Sequence, residues 1–379
     1  MPSKALWFSA IALLSLFIML LPQAAAQNTL SIDEFRLPNG STSIDAMAID
    51  SSGNVWLAQS SPAILYQYDA RSGAFLKHPI PTISDAFIKG MSAEDGKYIW
   101  MADQQGNQII GYDIALNKFY NFTLPLKLDP SDVIAQEPYL WVGCNMELGR
   151  INMDTNFMDD YYVDKYDAGV SDIATDRQGN VWFVEYASDK VGGYYKMNDA
   201  LQLFPIPTAG AKATYLAVDS RSRLWFIESG TNKLGMFDTN QNSFNELDMP
   251  VLDGLQAYPK RIAVDDDDNV WLTDLANNRL IKYYPSKNVF VPIALNGTKL
   301  YPNLIGVDNG NIWCLESGTN TLVKLHADSL YGLNPTPTPT ATPTTVPSKA
   351  ASPTPKPSPG FEMLAVLVAL AVAAKKTAR

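Results

Sequence analysis

The chain has 379 residues, 29 basic and 39 acidic, for a formal charge of −10. That acidity argues against a nucleic-acid partner, whose binders present basic patches to the phosphate backbone. With only two cysteines, no disulfide framework is available, so the chain must build a large apolar core.

Residues 1–26 read as a secretory signal. Lys4 supplies the positive start, an apolar run extends from Ala5 to Leu21, and Ala24, Ala25 and Ala26 offer small residues for cleavage. Behind it one pattern recurs. The stretches VWLAQ, YIWMAD, YLWVGC, VWFVE, LWFIES, VWLTD and IWCLES each carry a tryptophan in the same slot. Seven of the eight tryptophans occupy it: Trp56, Trp100, Trp141, Trp182, Trp225, Trp271 and Trp313, spaced by 44, 41, 41, 43, 46 and 42 residues. A self-similar unit of roughly 40–45 residues with one such strand reads as a propeller blade of about four strands. Seven units predict an all-β, seven-bladed propeller over residues 27–333.

Within each unit a small-apolar first strand (Ala46 to Ile49, Ile262 to Val264) leads through an Asp- or Gly-bearing turn into the Trp strand. A polar loop and a third strand follow, and the outer strand ends in proline, as at Pro79, Pro125, Pro205 and Pro250. Proline suits a strand end, where no ladder donor is missed. The tryptophans are expected to pack between neighbouring blades. The last unit stops after its third strand, near Val323 to His326, whereas Leu30 to Pro38 carries the outer-strand pattern ahead of blade one. That segment is expected to cross back and complete blade seven, which removes two exposed edges. Cys144 and Cys314 fall on equivalent strands of blades three and seven. They are too distant to bridge and are expected as buried free thiols.

Residues 334–358 form a Pro/Thr/Ser-rich stalk, extended and without core residues, of a type often O-glycosylated. Residues 359–379 open with Pro359-Gly360-Phe361, continue as an apolar run and end in Lys375, Lys376 and Arg379. The run from Phe361 to Ala374 is fourteen residues, short for a membrane span, which needs about 20. This three-part tail resembles the PGF carboxy-terminal sorting signal of archaeal surface proteins. The resemblance implies an archaeosortase-type processing partner and a protein left at the archaeal cell surface, held to the membrane through this segment or a lipid. Three glycosylation sequons begin at Asn39, Asn121 and Asn296.

In a propeller, residues before the first strand and after the second meet on one face, around the axis. Three positions after each Trp stand Gln59, Asp103, Cys144, Glu185, Glu228, Asp274 and Glu316, and before the first strands stand Asp45, Lys89, Ser171, Thr214, Lys260 and Asn303. An acidic channel mouth with interspersed lysines is expected, a candidate site for a small-molecule, glycan or protein ligand. Glu228 and Glu316 are the candidate ligands for Mg²⁺ or Ca²⁺. The alternative role of these acids is to hold loops, paired with Lys190, Lys233 and Arg279.

The repeat units VWFVEYASDKVGGY, LWFIESGTNKLGMF, VWLTDLANNRLIKY and IWCLESGTNTLVKL resemble those of the virginiamycin B lyase family, streptogramin-opening enzymes on a seven-bladed propeller. The resemblance implies chemistry by histidines before the first strands of the last two blades, with nearby glutamates and Mg²⁺. Carried over by position, the first histidine becomes Lys260 and the Glu-x-His motif becomes Tyr301-Pro302-Asn303; the glutamate after the last Trp persists as Glu316. A lysine near its ordinary pKa is charged at pH 7, and asparagine is no base at any pH. The two histidines of the chain, His78 and His326, fall away from the axis. A non-catalytic binding or envelope protein is therefore the expectation. The alternative is a metal-dependent axial enzyme, a lyase or a lactonase using Glu185, Glu228, Glu316 and Asn303.

Overall fold

The structure, a computed structural model, describes residues 30–329 apart from 42, 83–85, 95, 126, 164–168, 296 and 327–328, together with 344–347. Seven antiparallel sheets, each built on four strands, form the blades of an all-β propeller. In blade 1 the strands run Ile44–Ile49, Val55–Gln59, Ile64–Asp69 and Ala74–Pro79, from the axis outward. Blade 7 is closed by the chain start: Ile32–Arg36 pairs antiparallel with Thr321–Leu325, Ile32 opposite Leu325 and Arg36 opposite Thr321. The expected crossing of the amino-terminal segment is thus present. Blade 5 carries a fifth strand, Thr344–Pro347, paired with Ser243–Asp248. Part of the stalk, read as extended, therefore lies along a blade edge. The secretory signal, Asn296 and the Pro359-Gly360-Phe361 segment lie outside the described residues.

The second strand of each blade is buried on both faces, as Val55–Gln59 and Val181–Glu185 are throughout. Alternate side chains point to opposite faces of a sheet, so a strand packed between two neighbours is apolar along its length, with a polar residue only at its end. The tryptophans serve the packing between blades. Trp56 meets Tyr112 of blade 2 with ring centroids 5.6 Å apart, Trp141 meets Tyr194 of blade 4 at 4.4 Å, and Trp182 meets Phe237 of blade 5 at 5.9 Å. Trp313 closes the ring on Tyr68 of blade 1 at 5.4 Å. Aromatic pairs at such spacings add about 0.5–1.5 kcal/mol beyond area burial. The residue opposite each Trp on the third strand must leave room for it or cover it. Glycine does the first: a Cβ on Gly193 would lie 2.4 Å from the Trp182 ring. A long cation does the second: Arg150, Lys282 and Lys324 lie over Trp141, Trp271 and Trp313.

A carboxylate six residues before the Trp accepts its indole N–H in five blades. Asp50 holds Trp56 at 2.8 Å, Glu94 holds Trp100 at 2.6 Å, and Asp176 holds Trp182 at 2.8 Å. Asp219 and Asp265 do the same for Trp225 and Trp271 at 3.0 and 2.8 Å. In blades 1, 4, 5 and 6 this Asp opens the turn between the first two strands and its other oxygen accepts two turn N–H groups, as Asp176 does from Gln178 and Asn180. Blades 3 and 7 have Ala135 and Val307 at that position, and there the Trp141 and Trp313 N–H groups have no partner. Cys144 and Cys314 are buried and free, as the ring geometry requires.

Candidate functional site

The first strands converge on the axis, and at their starting ends a β-bulge recurs. Asp45, Lys89, Ser171, Tyr215 and Asn303 are each the extra residue of a register shift in blades 1, 2, 4, 5 and 7. A bulge re-aims side chains locally. The axial cavity, about 230 Å³, takes polar lining from the starts of the first strands of six blades: Asp45, Lys89, Asp132, Asp172, Tyr215 and Arg261. Its floor is apolar, with Met47, Met91, Ile134 and Ile305.

Asp132 and Asp172 form a linked pair around the axis. Asp132 accepts the N–H of Ile173 at 3.2 Å, and Asp172 accepts that of Leu216 at 2.7 Å, so each fastens its blade to the next. Burial and the facing Asp172 carboxylate raise the Asp132 pKa well above the usual range, and burial raises that of Asp172 as well. Two carboxylates facing each other in a buried site cannot both ionise cheaply, and the rise falls most heavily on Asp132. Arg261 faces them. Its guanidinium stands 3.6 Å from the centre of the Tyr215 ring, and its Nη1 is buried without a hydrogen-bond partner. Tyr215 takes a positive φ of 25°, rare for a residue with a side chain. Burial lowers the Arg261 pKa, opposed by Tyr215, Asp172 and Asp132.

Lys260 adjoins Arg261 at the start of blade 6, and its backbone N–H bonds to Thr273 O at 2.9 Å. Burial lowers its pKa, and so do the charges of Arg261 and of Lys89 from blade 2, across the ring. Lys89 itself lines the axial cavity, as does Arg261, the neighbour of Lys260. Asn303 sits at the equivalent bulge of blade 7.

The carboxylates after the Trp strands sit at the same end of the propeller but are turned into their own blades. Asp103 accepts the N–H groups of Phe87 and Gly106, each at 3.0 Å, and Gln108 Nε2 at 2.8 Å. Glu185 is held by Ser188 Oγ, Glu228 by Thr231 at 2.7 Å, and Glu316 by Thr319 at 2.9 Å. Asp274 takes Asn277 and Arg279, each at 2.8 Å. Each acid thus closes the turn after its strand, three residues on. Burial pushes Glu228 up to about 7, helped by Glu246. Glu228 and Glu316 stand in different blades, and among the described residues no three His, Cys, Asp or Glu side chains gather as a metal ion would need.

Sequence reasoning missed Asp132, Asp172, Tyr215 and Arg261. In blades 4 and 5 the extra residue of the bulge shifts the axial position by one, and the alternation of a regular strand does not reveal it. The histidines lie elsewhere: His78 between Tyr112 at 2.9 Å and Asn117 at 3.3 Å, and His326 against Asp33 at 2.7 Å.

The sequence pattern of the virginiamycin B lyase family matches residues 2–272, and the chain belongs to that family. Among solved structures, virginiamycin B lyase from Staphylococcus aureus superposes with a TM-score of 0.71 at 20% identity, over 78% of this chain and 99% of that one. A streptogramin B lyase gives 0.71 at 20%, over 80% and 99%. YCF48, solved with a D1 peptide, gives 0.61 at 14%, over 78% and 96%. No curated protein matches the sequence. At these positions the chain does not fit the family's Mg²⁺ site: Lys260 and Lys89 put positive charge over the axis, and Glu316 is turned to Thr319.

Proposed function

We propose that the protein is a cell-surface-anchored, non-catalytic binding propeller that takes its ligand at the bulged end of the axis. The replacement of the family's histidines by Lys260 and Asn303 carries this reading. No imidazole stands near the axis, because His78 and His326 are engaged on the outer parts of blades 1 and 7. The Asn303 amide has no basic nitrogen with which to take up a proton. What remains is a preformed concave end with polar groups from six blades over an apolar floor, the ordinary make-up of a ligand pocket. The anchoring rests on the carboxy-terminal signal in the sequence, and Mg²⁺ or Ca²⁺ at Glu228 and Glu316 is open to direct titration. The test is incubation of the full chain with a streptogramin B and Mg²⁺, followed by mass spectrometry. The cyclic antibiotic is expected intact; its linearisation, lost on Lys260→Ala, would return the protein to the enzymes.

A further inference from the structure

Around the axial cavity the exposed aromatic residues are unevenly placed. Six aromatics are exposed among the described residues: Phe87, Phe157, Tyr162, Tyr186, Tyr258 and Tyr301. Four of them stand at the bulged end, where Phe87, Tyr258 and Tyr301 precede first strands and Tyr186 follows a second strand. Tyr258 is 56% exposed, and Phe87 and Tyr301 are each 40% exposed. Tyr301 holds a positive φ of 50°, a conformation that costs energy for a bulky side chain and recurs at binding sites. Aromatic faces left in water on one end of an otherwise packed ring mark a recognition surface.

The same end carries unspent positive charge. The acids nearby are committed: Asp45 receives Ser60 N–H at 3.2 Å, Asp132 and Asp172 receive the N–H groups of Ile173 and Leu216, and the acids after the Trp strands close their turns. Lys89 leans over Phe87, its Nζ 5.2 Å from the ring centre. Among the described residues the ammonium groups of Lys89 and Lys260 have no carboxylate partner. Lys89 and Arg261 line one cavity, Lys260 adjoins Arg261 in the chain, and Nη1 of Arg261 lacks an acceptor, so one anion at this end of the axis would pair with them.

We propose that this end of the axis binds an acidic saccharide. Lys89, Lys260 and Nη1 of Arg261 receive its carboxylate or sulfate, and Phe87, Tyr258 and Tyr301 offer faces for the sugar rings. A saccharide suits the site better than a free anion because a small anion would leave the aromatic rim in water. A neutral sugar would leave the cations unpaired. The inference rests on the non-catalytic binding role proposed above and names its ligand class.

Calorimetric titration of the full chain with oligogalacturonate and with a chondroitin sulfate oligosaccharide tests it, with dextran oligosaccharide and citrate as controls. Either acidic saccharide is expected to bind, at least tenfold more tightly than dextran, and to weaken as salt is added. K89Q combined with K260Q is expected to lower that affinity at least tenfold with the melting temperature unchanged. Y258A combined with Y301A should weaken the saccharide and leave citrate unaffected. Binding of neither acidic saccharide, equal binding of dextran, or an unchanged affinity in the lysine double variant would overturn the assignment. Such a failure is separable from failure of the binding role, which would show as antibiotic turnover whatever the saccharides do.

Discussion

Removing the carboxylate of Asp176 should cost more than any other single change in blade 4 outside its apolar core. Its side chain accepts four hydrogen bonds: Gln178 N and Asn180 N at 2.9 Å, Asn180 Nδ2 at 2.9 Å and Trp182 Nε1 at 2.8 Å. Each bond to a charged acceptor is worth about 1.5–3 kcal/mol in isolation. Four donors share one group and relax together, so Asp176→Ala is expected to lose roughly 3–5 kcal/mol. Asp176→Asn keeps one oxygen for the two turn N–H groups and forfeits the bonds from Asn180 Nδ2 and the indole, a loss of about 1–3 kcal/mol. Urea unfolding followed by fluorescence, with linear extrapolation, measures both variants. A cost below about 1 kcal/mol for Asp176→Ala, or equal costs for the two, would refute the carboxylate as the organiser of this turn.

Two further outcomes follow from particular groups. Glu147 is 3% exposed, and burial with the nearby Asp160 charge pushes its pKa to about 7. A raised folded-state value means the folded protein binds the extra proton, so this contribution is fully present below about pH 4.3 and is lost as pH rises toward 7. Glu147→Gln should flatten that part of the stability curve and leave the variant more stable than the parent by roughly 3 kcal/mol at pH 8, read by denaturant titration at several pH values; an unchanged slope would contradict the shift. Deleting residues 1–37 strips the outer strand from blade 7 and exposes the Thr321–Leu325 edge. Size-exclusion chromatography and limited proteolysis should find an aggregating, protease-sensitive chain; a compact monomer would show that the crossing strand is dispensable.

The fold was legible because one large residue marks every unit. The Trp spacing counts the blades, the missing last strand and the surplus first one imply each other, and both consequences appear in the Ile32–Arg36 pairing. The site was legible only to its neighbourhood. Glu228 lies three residues past Trp225, an odd offset, so it shares a face with Phe226, and both are buried against the preceding blade. Side chains of a second strand point to the two faces of their blade and both faces are covered, so the acids could not reach the channel. Lys89 and Lys260 were found because they stand at the starts of first strands. Tyr215 was not, because a bulge aims it inward and no local composition announces a bulge of this kind. The stalk strand at Thr344–Pro347 was invisible for another reason. Its pairing is with the backbone of Ser243–Asp248, and backbone donors carry no sequence signature.

The closure of blade 7 also sets the order in which the ring can be completed. Asp33 and His326, joined at 2.7 Å, are 293 positions apart. Every other blade takes its four main strands from local hairpins, Thr344–Pro347 being added only at the edge of blade 5. Bringing the two ends together costs about 5 kcal/mol of chain entropy beyond a constant, met in a single late step once the other six blades have shortened the effective loop. A chain that emerges amino end first must therefore hold its opening strand unpaired until nearly the whole ring has appeared. During that interval the molecule is an open crescent with two sticky ends, and the speed of this last encounter decides between one closed ring and two crescents joined to each other.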